Sequence, residues 1–200
     1  MNYVRLLLIG NSGVGKTNLM NRYFYNKFQG NVASTIGIDF ATKSVKINES
    51  EYKVQCWDCS GQDKFKSIVK SYYRGADCIL LVYDVASRRS FTDLVEFWLP
   101  EIEKMNPEAH LVLIGNKADL QGQVLRQVEL EEGMELADLL KIPFFETSAA
   151  ENTLVETAFK AAIDSVILTQ FYNQRESKIH IDVSIVALDE QKTNYSSCCF

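Results

Sequence analysis

Short apolar runs alternate along this chain with longer stretches in which apolar residues recur at three- and four-residue steps. That alternation predicts β and α units wrapped around a mostly parallel sheet. Strands are expected at Tyr3–Ile9, Ile38–Ile47, Tyr52–Asp58, Cys78–Tyr83, Leu111–Gly115 and Pro143–Glu146. Helices are expected at Lys16–Tyr25, Ile68–Arg74, Arg89–Lys104, Gln127–Leu140 and Leu154–Phe171. Between Ile38 and Asp58 only the turn Asn48-Glu49-Ser50 interrupts the strand pattern. No crossover helix fits there, so this pair is an antiparallel hairpin within an otherwise parallel six-stranded sheet. In the last helix Leu154, Ala158, Ala161, Ala162, Val166 and Phe171 form one stripe, read as core packing. Beyond Asn173 the periodicity fails, which predicts a folded domain over 1–173 and a flexible tail over 174–200.

Composition narrows the class. Two hundred residues with 46% hydrophobic content close one core of ordinary size. A formal charge of −5 without a basic cluster excludes a nucleic-acid surface. The first residues lack a charged leader with an apolar core, and no apolar run approaches the roughly eighteen residues that a membrane-crossing helix needs. The expectation is a chain neither secreted nor membrane-spanning. Cys56, Cys59 and Cys78 lie in or beside strands and read as small buried hydrophobes of a reducing compartment. The C-x-x-C spacing of Cys56 and Cys59 has no second Cys or His pair to complete a metal site.

The chemistry is carried by the segments that follow the strands. After the first comes Gly10-Asn11-Ser12-Gly13-Val14-Gly15-Lys16-Thr17, a full G-x-x-x-x-G-K-[ST] phosphate-binding loop running into a helix. Its backbone N–H groups, from Ser12 through Asn18, wrap a polyphosphate at the positive end of that helix. Lys16 reaches the β- and γ-phosphates, and the Thr17 hydroxyl is one ligand of Mg²⁺. After the third strand, in Asp58-Cys59-Ser60-Gly61-Gln62, the carboxylate holds the metal side and Gly61 offers its N–H to a γ-phosphate. Gln62 is placed to orient an attacking water. Thr35, in the loop 26–37, supplies a second Mg²⁺ hydroxyl and would make that loop a sensor of the third phosphate.

Base choice follows from Asn116-Lys117-Ala118-Asp119 after the fifth strand. The Asp119 carboxylate matches the two donors on the N1 and N2 edge of guanine, and adenine has no such pair. This selects GTP over ATP. Asn116 either contacts the base or ties neighbouring loops together, and the Lys117 stem covers the purine face. After the sixth strand, Ser148, Ala149 and Ala150 bring a backbone N–H toward guanine O6, and Phe28 closes the far edge of the ring or serves only as packing.

Taken in order, these loops resemble the Ras superfamily of small GTPases and, within it, the Rab family. The resemblance spans residues 3–172 and rests also on Ile36-Gly37-Ile38-Asp39-Phe40, Lys53-Val54-Gln55-Cys56-Trp57-Asp58, Ser71-Tyr72-Tyr73-Arg74-Gly75-Ala76 and Leu80-Leu81-Val82-Tyr83-Asp84-Val85. It implies an α/β, three-layer small-GTPase fold with helices on both faces of the sheet and a monomeric GTPase domain. It implies that Gln62 positions the hydrolytic water, that Lys16 and Gly61 hold the γ-phosphate, and that Thr17 and Thr35 ligate Mg²⁺. Ile38, Phe40, Trp57 and Tyr72 form a surface read by effectors. Cys198 and Cys199 resemble the terminal pair that receives two geranylgeranyl groups; Ser197, fourth from the end, excludes a C-a-a-X box. Because the tail offers no polybasic patch, two lipids are needed for stable anchoring.

The resemblance further implies a switch. GTP with Mg²⁺ orders the loops and recruits effectors, and hydrolysis to GDP releases them. Intrinsic turnover should be slow and dependent on a GTPase-activating protein, with a nucleotide exchange factor and a GDP-dissociation inhibitor or Rab escort protein as further partners. The place of action is the cytoplasmic face of an intracellular membrane, in vesicle trafficking, with a cytosolic escort-bound pool. Departures are Cys59, Ser60 and Asp63 in the usual D-T-A-G-Q-E and Ala150 in the usual T-S-A-K. The missing lysine stem predicts looser nucleotide binding. Two rivals share parts of the pattern: an ATP-dependent kinase or ATPase, disfavoured by Asp119, and a scaffold that binds GTP without hydrolysis, disfavoured by Gln62.

Overall fold

The computed structural model describes residues 2–30, 37–47, 49–59, 66–120 and 126–172, with the side chains of 66–70 excepted. The chain divides into two compact units, Met1–Val166 and Ile167–Phe200. The sheet belongs to the first; of the second, residues 167–172 are described and are helical. The elements are β1 (Asn2–Ile9), α1 (Lys16–Tyr25), β2 (Ile38–Ile47), β3 (Ser50–Cys59), α2 (Lys66–Gly75), β4 (Cys78–Asp84), α3 (Arg88–Asp93), α4 (Leu99–Met105), β5 (His110–Asn116), α5 (Leu130–Leu140), β6 (Phe144–Thr147) and α6 over 155–172.

Among the described residues six strands form one sheet in the order β2-β3-β1-β4-β5-β6. Only β2 pairs antiparallel, through the hairpin with β3. β4 lies between β1 and β5, and all seven of its residues are buried, as a parallel strand covered on both faces must be. β2 is the opposite case: an edge strand with Lys43 and Lys46 exposed, charges that discourage further pairing.

Strand alternation sorts the core into two layers. Leu7, Ile9, Ile79, Leu81, Tyr83 and Leu113 share one cluster with Leu94 and Ile102 from the α3–α4 region and with Ala137 of α5. On the other face α1 buries Leu19 and Met20 and packs against β2 and β3. There Tyr23 stacks on Phe159 of α6, with ring centroids 4.3 Å apart. A fully buried leucine contributes about 2–3 kcal/mol, so the leucine-rich β1 and β4 fix the strand ends firmly while the chemistry is left to the loops.

Three local features differ from the sequence expectation. The helix expected at Arg89–Lys104 is broken by a π-helical segment, Leu94–Trp98, in which the Leu99 N–H reaches back to Leu94 O. Pro100 follows within the first turn of α4. It lacks an N–H and its ring would collide with the carbonyl four residues earlier, which the wider turn avoids. α5 begins at Leu130 and not at Gln127, because the Gln127 and Val128 amides both donate to Val85 O, at 2.9 and 3.1 Å. A reciprocal capping box between Glu129 and Glu132 then starts the helix. The buried stripe of α6 is Val155, Ala158, Phe159, Ala162, Ile163 and Val166; Leu154 precedes the helix with φ 53° and is exposed, and Phe171 is exposed too.

One core contact is unusually tight. The Tyr83 hydroxyl is buried without a hydrogen-bond partner among the described residues. A Cβ placed on Gly115 or Gly133 would come within 2.7 or 2.6 Å of it. The ring therefore occupies volume that those two glycines leave open.

The register brings the loops together. Leu8 pairs with Asp58, Ile9 with Leu81, Asp84 with Asn116, and Asn116 with Thr147. The carboxyl ends of β1, β3, β4, β5 and β6 therefore share one rim, where ligands bind in open α/β sheets.

Candidate functional site

From the end of β1 the chain turns through Gly10, Gly13 and Gly15, with φ of 140°, 82° and 99°. A Cβ on Gly10 would lie 2.0 Å from the Val82 carbonyl oxygen, and one on Gly15 would lie 2.2 Å from Asn116 Nδ2. Only glycine makes this loop. α1 starts at once, with Gly15 as its N-cap and no side-chain cap, so its leading N–H groups stay directed at the loop. Lys16 is buried, and its Nζ donates to Gly10 O and Asn11 O, each at 2.8 Å. Burial pulls its pKa down to about 8, with Asp58 and then Cys59 acting in the opposite direction. The loop thus forms a cradle that closes two of its carbonyls around one cation, while the leading amides of α1 face the space it encloses.

Beside it, Thr17 Oγ1 donates to Asp58 Oδ2 at 2.5 Å, joining α1 to the buried end of β3. A hydroxyl and a carboxylate in contact are hard oxygen donors, the chemistry that Mg²⁺ takes, and the adjacent cradle suits the phosphates it accompanies. The expected site residues Thr35, Gly61 and Gln62 lie outside the described residues, as do Cys198 and Cys199.

The other half of the rim is held by side chains. Asn116, fully buried, donates from Nδ2 to Val14 O at 2.9 Å and accepts from Thr147 Oγ1 at 3.2 Å. Of its two expected uses, the one shown here is tying loops together. Lys117 sits in the left-handed region at φ 68° and pairs with Asp84 Oδ2 at 2.6 Å. Asp119, in a 3₁₀ turn (Ala118–Leu120), accepts from Ser148 Oγ at 2.6 Å, and Ser148 Oγ in turn accepts the Glu151 N–H at 3.0 Å. Ala149 is buried. Asn18 makes reciprocal bonds with the Gln29 backbone at 3.0 and 3.2 Å, next to exposed Phe28. Ser12 and Gly13 are exposed at the tip of the cradle.

Residues 5–168 match the model of the Ras family. The chain belongs to the Ras family. Its relatives place it in the Rab branch. It is 39% identical over 203 residues to the Ras-related protein SEC4 of Saccharomyces cerevisiae, covering 98% of this chain and 91% of that one. It is 46% identical over 156 residues to the GTP-binding protein YPT1 of the same yeast, covering 78% and 74%. It is 45% identical over 169 residues to the Ras-related protein RABA6b of Arabidopsis thaliana, covering 83% and 72%. As a Rab GTPase it binds GTP and GDP and hydrolyses GTP to GDP and phosphate.

Two residues of this Rab GTPase escaped the sequence reading. Asn11 donates from Nδ2 to Asp93 Oδ2 at 2.5 Å and accepts from Trp98 Nε1 at 2.8 Å, so the π-helical segment is tied to the phosphate loop. Arg22 donates to the carbonyls of Ala149 and Ala150 across the rim. In α1 the only charges are Lys16 and Arg22; a lone guanidinium in such a helix was the one signal that sequence offered. The aromatic surface is contiguous: Phe40 lies 5.9 Å from Trp57 and Trp57 5.7 Å from Tyr72, between ring centroids, with Ile38 half-buried beside them. Among the described residues no helix is long and apolar enough to cross a membrane.

Proposed function

We propose that this Rab GTPase is a nucleotide-controlled switch of vesicle trafficking, with residues 1–173 as the GTPase domain and 174–200 as its tail. The observation that carries the reading is the hydrogen-bonded pair Thr17 and Asp58 at the mouth of the Lys16 cradle, on the same rim as Asp119. Lys16 and the amides of Ser12 to Asn18 grip the phosphates, and Thr17, Thr35 and Asp58 hold Mg²⁺. When bound, the ion offsets phosphate charge. Asp119 reads guanine, helped by Ala149 and Phe28, while Asn116, Lys117, Ser148 and Ala150 complete the pocket. Gln62 orients the hydrolytic water, and Gly61 and Thr35 sense the γ-phosphate.

Regulators and effectors are the kinds of partner that the Rab family implies. In this reading they are an exchange factor, a GTPase-activating protein, and a GDP-dissociation inhibitor or escort protein. Effectors dock on Ile38, Phe40, Trp57 and Tyr72 in the GTP form. Cys198 and Cys199 carry two geranylgeranyl groups that hold the protein on an intracellular membrane. Single-turnover phosphate release from Mg²⁺-GTP tests the core of the reading. Gln62→Leu should slow release by at least tenfold with GTP affinity changed less than threefold, because a water-orienting amide acts only in the transition state. Equal rates in the two proteins would remove Gln62 from its role, and binding of ATP as tight as that of GTP would remove Asp119 from its own.

A further inference from the structure

Arg22 sits within α1, half-buried, and each nitrogen of its guanidinium has a partner. Nε donates to Ala149 O at 2.9 Å and Nη2 to Ala150 O at 3.1 Å. Nη1 donates to Asn26 Oδ1 at 3.1 Å, with Asn26 O at 3.4 Å. Asn26 is the left-handed C-cap of α1, at φ 52°, and from it the chain runs on to Phe28. The Phe28 ring centroid lies 6.0 Å from Arg22 Cζ, at the outer limit of a cation–π contact. One planar group therefore ties two separate segments, 149–150 and 26–28. A guanidinium makes such a fork; an ammonium does not.

We propose that Arg22 is a positioning residue for the base: it holds the Ala149 backbone and the Phe28 ring at a fixed separation, and so sets how long guanine nucleotide stays bound. The inference rests on the reading above that these two segments flank guanine. Ala149 is pinned from both sides, by Arg22 on its carbonyl and by the Ser148 hydroxyl, which bonds the Glu151 N–H and Asp119. Phe28 is exposed, and among the described residues its segment is otherwise steadied by the bonds between Asn18 and Gln29. Ala150 ends the loop with a methyl group and cannot reach over a base, so stiffness must come from a neighbouring element. α1 supplies it, and the same helix begins at the phosphate loop. A pocket held ready loses less entropy on binding and releases its ligand more slowly.

The test is the dissociation rate of fluorescent N-methylanthraniloyl-GDP from the full chain with Mg²⁺, chased by excess GDP, for wild type, Arg22→Gln and Arg22→Lys. Arg22→Gln should release nucleotide about tenfold faster, as the loss of two hydrogen bonds of ordinary net strength allows. Arg22→Lys, which keeps charge and helix propensity and guards against a misfolded glutamine variant, should lie within threefold of Arg22→Gln. The ratio of GDP to GMP affinity, set at the phosphate end, should stay within twofold of wild type in both. Release from Arg22→Gln within twofold of wild type, full rescue by lysine, or a shifted GDP-to-GMP ratio would each overturn the proposal while leaving the guanine site standing. Wild-type protein that takes up no labelled GDP would overturn the guanine reading, and this inference with it.

Discussion

The two halves of the rim are built on different principles. The phosphate half is a matter of backbone: three glycines at positive φ, a helix start without a side-chain cap, and one lysine folded back onto the carbonyls of its own loop. The base half is a matter of side chains, in which Asn116, Lys117, Ser148 and Arg22 each bond to a partner far away in sequence. The first half is local and tolerates no added carbon. The second is distributed, so each tie carries a share and no single one carries the whole. Asn116 joins them, because its amide both reaches the phosphate loop at Val14 and fills the space beside Gly15.

This contrast predicts graded failures. Gly15→Ala should be the most damaging. It places a methyl group 2.2 Å from the Asn116 amide, which is buried and bonded at both ends, on backbone at φ 99°. Titration calorimetry should show GDP affinity lowered by roughly a hundredfold or more, since strain of about 1–3 kcal/mol adds to a broken tie; an affinity within tenfold of wild type would make the loop more pliable than its geometry implies. Asn116→Ala keeps the backbone and removes two hydrogen bonds, so about 1–3 kcal/mol is expected, read as a lower urea midpoint together with faster nucleotide release. If only one of the two readouts moves, Asn116 does not couple the halves.

The smallest effect belongs to an exposed ion pair that touches neither half of the rim. Glu132 is held down to about 2 from 4.5 first by the Arg88 fork, at 2.6 Å on each arm, and then by the Glu129 N–H. A carboxylate with a lowered folded pKa stabilises above its unfolded pKa and loses that contribution as pH falls through the folded value. The contribution is complete above about pH 4.5 and fades toward pH 2. The side chain is 37% exposed, so solvent screening keeps it below about 1 kcal/mol. Glu132→Gln should flatten that part of the melting-temperature profile and leave nucleotide affinity unchanged.

Much of this was legible in the sequence, for identifiable reasons. Strand and hairpin positions followed from apolar runs and turn residues, and the bounds of α1 and β2 coincide with those expected. The phosphate loop was legible because it is local: glycine spacing encodes its conformation. What stayed hidden was non-local. The rim depends on register, so nothing in the order of residues announces that Arg22 meets Ala149 or that Asn11 meets Trp98. The π-helical turn was hidden too, since periodicity averages over one inserted residue, although Pro100 marked where to look. The last helix shows how close stripes mislead: residues one position apart exchange a buried face for a wet one.

Tyr83, Gly115 and Gly133 meet at a single point in the core. The three positions are therefore not free to vary one at a time. A methyl group at Gly115 has to be matched by a smaller side chain on β4, one at Gly133 also by room at Phe144, 2.4 Å from it, and shortening the tyrosine alone opens a void that the glycines cannot fill. Any redesign of this sheet, natural or deliberate, must treat the three as one volume shared between a strand, its neighbour and a helix.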